Sequence, residues 1–581
     1  MSDIKWAFGW LGKQRYLLLV SLSLLSFASF IYTYEPRFVA RIVDDVLLGG
    51  QDERLVPLLF QMLACAFTYF ALRYITGVTH ERMAQNAVYK LRGELFSRVL
   101  RQTGAFYREN RSGDLITKCS GDIEMIRHFL CWCVPEFFRA IVLIISAMII
   151  FLTVNWIYAL VLFALTPISL VVSLHLRKVI RPTYNDARQA LSELNTVVQE
   201  NISGNRVVKA FVRERFELDK FDAANQNYRD KQLASAAIWL KFGPVLESIS
   251  QMLTVVNLVL GGYMVIRGHI TVGQLTLFTG LSWAINEPMS LIGPIVNDSQ
   301  RFLASCDKVR ALFYSPNWIK SPENAHAPDA VQGDITFERV SLRVSGATLL
   351  DNISLKIQAG QTVGFLGPTG GGKTLLAGLI SRVNDVSQGA VLVDNVNVER
   401  YDLGVLRKNI AVTMQDVFLF SDTVESNVAY GVPDCPIEDV YAAAQSADAD
   451  AFIRKTSDGY DTIVGERGTG LSGGQKQRIS LARALCASAP ILILDDTTSA
   501  VDMETEKFIQ GQLASLPRKA TTLIIAQRVS SIKHADRIYV IEGGRIVEQG
   551  THRELMANRG YYFATCSIQQ GDSEGVSALG T

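Results

Sequence analysis

The chain has 581 residues, with 57 Lys plus Arg against 56 Asp plus Glu, a net charge of +1. That balance excludes a nucleic-acid binder driven by bulk positive charge, and it excludes a highly charged disordered chain. Hydrophobic residues make up 49% and charged residues only 19%, below the usual ~25% charged, so the composition is that of a membrane-embedded part joined to a soluble part.

The long apolar runs fall in the N-terminal half. A spanning helix needs ~20 mostly apolar residues, and six segments qualify: 16–34, 55–77, 134–154, 156–176, 242–266 and 272–296. The third and fourth are almost free of charge, whereas Glu247 and Glu287 interrupt the fifth and sixth. Residues 1–15 lack a small-residue cleavage pattern, so no cleavable signal is expected. The loops after the second and fourth spans are rich in Lys and Arg, and the turn between the third and fourth carries no charge. The positive-inside rule therefore expects both termini and both long loops in the cytosol. Those loops have helical periodicity and turn at Arg111-Ser112-Gly113-Asp114 and Ser203-Gly204-Asn205, as spanning helices continuing into the cytosol would.

Ionisable groups inside spans face a cavity or a partner. Glu136 and Arg139, one helical turn apart, are expected to pair locally. Glu287, beside Pro288, is the cavity candidate, and a carboxylate there favours amphipathic cations. The eight cysteines are scattered, and only Cys131 and Cys133 are close, flanking Trp132. These two are expected to be free thiols rather than metal ligands.

Pro316, Pro322 and Pro328 mark a linker. The expected organisation is a transmembrane domain over 1–315, the linker over 316–332, a soluble α/β domain over 333–566 and a disordered tail over 567–581. Gly367-Pro368-Thr369-Gly370-Gly371-Gly372-Lys373-Thr374 follows a β-rich run and precedes a helical one that starts with Leu375. That is the context of a phosphate loop: backbone N–H groups close round the phosphates, Lys373 reaches the β- and γ-phosphates, and the Thr374 hydroxyl ligates Mg²⁺. Ile491 to Leu494 reads as a buried parallel strand that ends on Asp495 and Asp496, with Asp495 placed to hold Mg²⁺ through water. Between them, Leu471-Ser472-Gly473-Gly474-Gln475 opens a helix whose N-terminus is a second anion-binding end. One phosphate loop needs no second such end on the same chain, so a composite site closed by another copy or a partner is expected.

Residues 471–475 are identified as the signature motif of the ATP-binding-cassette family, and the chain resembles that family from about Trp10 to Ala564. Gln415 matches the loop that links the nucleotide to the transmembrane domain, and in the family it serves both nucleotide and metal. Gly465-Glu466-Arg467-Gly468 resembles the short motif before the signature, and Ser499-Ala500-Val501-Asp502 the loop that crosses to the opposite site. Segments 106–115 and 204–211 resemble the two cytosolic coupling segments of exporters. The resemblance implies a membrane all-α six-helix transmembrane domain followed by an α/β P-loop nucleotide-binding domain, using ATP and Mg²⁺. It also implies that two such halves sandwich each ATP between the phosphate loop of one and the signature of the other.

Three positions depart from the family pattern. Asp496 stands where active members have Glu, one methylene longer, and a misplacement of about 1 Å can cost ~10²-fold in rate. Gln527 stands at the switch histidine and cannot become cationic. Val344 stands where an aromatic stacks on adenine, a contact worth ~1–3 kcal/mol by analogy with nucleic-acid bases. With phosphate loop and signature intact, these departures imply the degenerate-site subunit of a heterodimeric, multidrug-type exporter in the bacterial inner membrane. The partner is expected to carry the catalytic Glu and His, and the cargo to be amphipathic, with no nucleic acid involved. The alternatives are a lipid, peptide or siderophore exporter on the same fold, and a regulatory half that does not transport.

Overall fold

The computed structural model describes residues 2–316, 319–344, 346–497, 503–515 and 520–571, with the side chains of most of 158–181 and 239–253 left out. It divides into two compact units, 1–97 with 113–314, and 98–112 with 315–581.

The first unit is helical. In chain order it holds α1 (Arg15–Tyr32), α2 (Leu55–Leu100, shared with the second unit at its end), and then, beyond the short α3 (Gly104–Glu109), α4 (Ile123–His128) and α5 (Val134–Val154). It continues with α6 (Trp156–Ser203), α7 (Asn205–Ala210), α8 (Glu214–Ile266), α9 (Val272–Gly280) and α10 (Trp283–Phe313). At 1.5 Å per residue, the 46, 48 and 53 residues of α2, α6 and α8 reach roughly 70–80 Å, more than twice the ~30 Å hydrocarbon core. The expected cytosolic extensions are therefore continuous with the spans.

Among the described residues, the stretches Gly12–Leu48, Asp52–Leu100 and Ser112–Val154 are long and apolar enough to cross a membrane, and they contain the first three expected spans. Most side chains of the fourth, and Glu247 in the fifth, lie outside the described residues; the remainder of the fifth is the apolar segment Thr254–Ile266. The sixth is not one helix. It breaks between α9 and α10 at Leu281 and Ser282, and Pro288 and Pro294 sit inside α10.

Two arginines and two carboxylates form one network across this unit. Arg139 Nε donates to Glu136 at 2.6 Å, as the one-turn spacing led us to expect, and Arg139 Nη2 donates to Glu287 at 2.6 Å. Arg73 donates to the other oxygen of Glu136 at 2.5 Å. Glu287 is thus tied to a cation of its own chain rather than standing alone, and the network sums to zero charge.

The second unit is the soluble α/β domain, and residues 98–112 fold with it rather than with the helical unit. Thr103 caps α3 by accepting from Phe106 N, the Gly104 N–H donates to Val383 O at 3.2 Å, and Ala105 N–H donates to Asn384 Oδ1 at 3.2 Å. Phe106 is buried there. A four-stranded antiparallel sheet has the order β2-β1-β4-β5, built from β1 (Ile335–Val344), β2 (Ala347–Ile357), β4 (Gln388–Val393) and β5 (Val396–Asn397). A six-stranded sheet has the order β10-β9-β3-β8-β7-β6. Its members are β3 (Thr362–Leu366), β6 (Ile410–Thr413), β7 (Ile491–Asp495), β8 (Thr521–Ile525), β9 (Arg537–Glu542) and β10 (Arg545–Gly550), parallel except at the β9–β10 edge. All five residues of β7 are buried, as a parallel strand covered on both faces must be. The domain ends in α13 (Tyr561–Gln570), which runs to Gln570 and so corrects the expected start of disorder at 567; residues 572–581 lie outside the described ones.

Removing Arg139 leaves Glu287 without its guanidinium and Glu136 with Arg73 alone. Breaking a buried pair costs ~3–5 kcal/mol. Arg139→Met is expected to lower the melting temperature of the lipid-nanodisc protein well below that of Glu287→Gln; equal melting temperatures would show that Arg139 does not hold the network.

Candidate nucleotide site

The backbone between β3 and α11 (Lys373–Ile380) builds the phosphate loop. Gly367 has φ +148°, and a Cβ there would lie 2.0 Å from Ile541 O, so only glycine lets the loop lie against the end of β9. Gly372, the N-cap of α11, has φ +99°, and a Cβ would meet Leu350 Cδ2 at 2.7 Å. Lys373 opens α11, is buried, and donates from Nζ to Gly367 O at 2.7 Å and Pro368 O at 2.9 Å. Burial pushes its ammonium below the ordinary lysine range, against the pull of Asp495 and Asp496. A partly desolvated ammonium at the mouth of a glycine loop is strongly attractive to phosphate.

Residues 369–375 line a cavity of about 170 Å³ together with Gln415, Asp495, Asp496, Ile525, Ala526 and Gln527. The structure thus gathers the phosphate loop, the linking glutamine and two of the three departing residues, Asp496 and Gln527, at one place. Asp495 ends β7 and is 5% exposed. Burial raises its pKa and the Asp496 charge adds to this, while the Thr374 hydroxyl and Lys373 pull it down. A buried carboxylate beside a hydroxyl and an amide oxygen is a hard-oxygen set that suits Mg²⁺. Asp496 has φ +51°, a left-handed conformation that Asp tolerates better than most residues. Its N–H donates to Ile525 O at 2.9 Å, and its carbonyl accepts from Gln477 Nε2 at 3.3 Å. That fixes the residue from both sides while it lines the cavity.

Ser472, Gly473, Gly474 and Gln475 do not line this cavity. They start α12 (Gly473–Cys486) with a capping box, in which Ser472 Oγ accepts from Gln475 N at 3.3 Å and Gln475 Oε1 accepts from Ser472 N at 2.9 Å. Lys476 Nζ donates to Arg467 O at 2.9 Å and ties the preceding short motif to this helix start. Val344 ends β1, packs on the core of the domain and does not line the cavity. The crossing loop, Ser499 to Asp502, lies outside the described residues.

Gln569 is a contributor that the sequence did not announce. From α13, its Nε2 donates to Gln527 O at 2.8 Å and its Oε1 accepts from Val529 N at 2.8 Å. One amide thereby clamps the backbone on both sides of Arg528 and sets where Gln527 sits. Only the α13 packing reveals it, since a polar residue near a chain end has no local signature.

A raised carboxylate pKa has a stability consequence with a definite sign. The folded state holds the Asp495 proton more tightly than the unfolded chain does, so this group's contribution to stability falls as pH rises from the ordinary aspartate value through the raised one. Above that window, the charged form is a constant penalty. Asp495→Asn is therefore expected to raise the melting temperature of the nucleotide-free protein at pH 7 and to remove the further rise given by Mg²⁺ with ATP. A lower nucleotide-free melting temperature would contradict this.

Residues 18–289 match the family model described as ABC transporter transmembrane region, and residues 350–499 match the model described as ABC transporter. The chain is 32% identical over 570 residues to the putative multidrug export ATP-binding/permease protein YgaD of Bacillus subtilis (strain 168), covering 96% of this chain and 97% of that protein. It is 33% identical over 516 residues to the ATP-dependent lipid A-core flippase of Desulfotalea psychrophila, covering 89% and 90%. The fold matches that of a bacterial Atm1-family ABC exporter solved with ATP bound, with TM-score 0.80 and 24% identity over 96% of this chain and 99% of that one. The chain belongs to the ABC transporters: it is an exporter half-transporter, a membrane-spanning region followed by an ATP-hydrolysing cassette.

Proposed function

We propose that this chain works as one half of an asymmetric pair, binding MgATP in a slow pocket of its own and lending its Ser472 helix start to a fast pocket on a partner. The observation that carries this is a separation. The phosphate-loop cavity contains Asp496 and Gln527, and the intact signature at Ser472–Gln475 opens elsewhere.

Each residue then has a role. The loop N–H groups and Lys373 hold the phosphates. Thr374, Gln415 and Asp495 are the oxygen donors for Mg²⁺, which when bound neutralises phosphate charge. Asp496 takes the position of the base, but its shorter side chain reaches less far toward an attacking water. Gln527 offers a hydrogen bond to the γ-phosphate and cannot carry a proton as His does. Slow hydrolysis here, with turnover at the partner's site, follows from those two substitutions. The partner then carries Glu and His.

The membrane half fits an amphipathic cargo, moved outward across the bacterial cytoplasmic membrane with both chain termini in the cytosol. Its Arg73–Glu136–Arg139–Glu287 network is self-neutralising. That favours apolar holding of the cargo over selection for cations, and it suits both the multidrug and the lipid substrates named for the two relatives. The tip around α7 fits the second coupling role, since Val207, Phe211 and Val212 are exposed there and Val212 holds φ +52°, a rare conformation for a β-branched residue. We infer that this tip docks on the partner's cassette, as α3 does within its own unit.

In the reconstituted pair, Ser472→Ala is expected to cut ATP turnover by more than tenfold and Asp496→Asn by less than about threefold, because only the first touches the fast pocket. The reverse order would overturn the assignment. Asp496→Glu restores the missing methylene, and is expected to speed hydrolysis at this chain's own pocket when the partner's glutamate is removed. No gain would mean that side-chain reach is not what limits that pocket.

A further inference from the structure

Two π turns, Lys118–Asp122 and Phe129–Cys133, flank α4. The second has a chemical consequence. In an α-helix, a residue five positions further on points about 140° away, given 3.6 residues per turn. In a π turn the i and i+5 positions come round to the same side. His128 and Cys133 are five apart, and the turn brings the imidazole and the thiol together. Asp298, on α10, completes the group: its Oδ2 lies 3.2 Å from His128 Nε2, and a ligating atom of each of the three residues lies within 4.8 Å of the others.

Two contacts beside the group join the elements that carry it. Phe129 and Phe302 stack at 3.9 Å with an 8° interplanar angle, and Ser305 Oγ donates to Asp122 Oδ1 at 2.7 Å. Both contacts fasten the same two helical segments. Trp132 stacks on the His128 ring at 5.1 Å, and Arg301 approaches the other carboxylate oxygen of Asp298 at 3.7 Å, leaving Oδ2 to face His128. Cys133 is buried, whereas the His128 and Asp298 side chains remain partly open. Cys131 is turned elsewhere: its thiol donates to His128 O at 3.8 Å and accepts from Arg127.

We propose that His128, Cys133 and Asp298 form a Zn²⁺ site that clamps the start of α5 to α10. The donors are one nitrogen, one sulfur and one oxygen. Sulfur argues against Mg²⁺ and Ca²⁺, and the mixture suits a borderline ion with three protein ligands and one open position. With Zn–N and Zn–O bonds of ~2.0–2.2 Å, two ligands at a tetrahedral angle sit ~3.3–3.6 Å apart, close to the His128–Asp298 separation; the thiol must close in by a fraction of the remaining gap. Binding replaces the thiol proton with the metal, and the proton leaves to solvent. The proposed site changes the expectation of a free thiol for Cys133, whose partners are His128 and Asp298 rather than its neighbouring cysteine.

The test uses the tag-free full-length protein in lipid nanodiscs, with Zn²⁺ titrated against a chromogenic chelator and Co²⁺ as a spectroscopic substitute. One tight Zn²⁺ per chain is expected, with a thiolate-to-cobalt charge-transfer band in the near ultraviolet. Removing an outer-shell partner of a metal site weakens binding ~10–100-fold, so loss of a direct ligand in Cys133→Ser or Asp298→Asn is expected to weaken it by at least that much. Zn²⁺ is expected to raise the melting temperature of the wild type and of neither variant, a readout separate from ATP turnover. Equal Zn²⁺ affinity in wild type and both variants, or a Co²⁺ spectrum without the thiolate band, would overturn the site. If Cys133→Ser fails to fold, Asp298→Asn alone decides the comparison.

Discussion

A phosphate ester held in water-poor surroundings needs donors on every side, and this chain places its two sets of donors apart. The glycine loop and Lys373 converge on one cavity, while the Ser472 helix start, fixed by its own capping box, does not line it. A second cassette is the simplest means of bringing a helix end of this kind over the loop. The proposed division of labour rests on that separation, and Asp496 and Gln527 decide which side of the pair is slow.

The residues nearest the nucleotide are costly to the folded chain. Lys373 and Asp495 are charged groups drawn out of water, and Asp496 sits in a left-handed backbone conformation. Such costs collect where a ligand will offset them. The cassette core tolerates them because the buried β7 strand and the Phe365–Tyr539 stack hold the sheet in place. Gln569 adds a restraint from the end of the domain and binds the switch backbone to α13.

Sequence patterns were legible where chemistry depends on local backbone. The phosphate loop, the strand-end carboxylates and the signature helix each lie within a few consecutive residues, and residues 369–375, Gln415, Asp495, Asp496 and Gln527 do meet at one cavity. What stayed hidden depends on distant packing. The Arg139–Glu287 pair spans 148 positions, so Glu287 read alone looked like a lone cavity acid. Residues 98–112 joined the cassette because α3 finds its partners at Val383 and Asn384, far along the chain. The His128–Cys133 juxtaposition needs a π turn, which no hydropathy pattern signals. The sixth apolar segment read as one span because composition does not register the break at Leu281 and Ser282.

The most direct measurement counts nucleotide in a single turnover of the purified two-cassette complex. Radiolabelled ATP is loaded to saturation, free nucleotide is removed, and protein-bound ATP and ADP are followed over time. An asymmetric pair is expected to convert one of two bound nucleotides quickly and to retain the other as ATP through many turnovers. Two copies of this chain alone converting both nucleotides at one common, rapid rate would contradict the asymmetry.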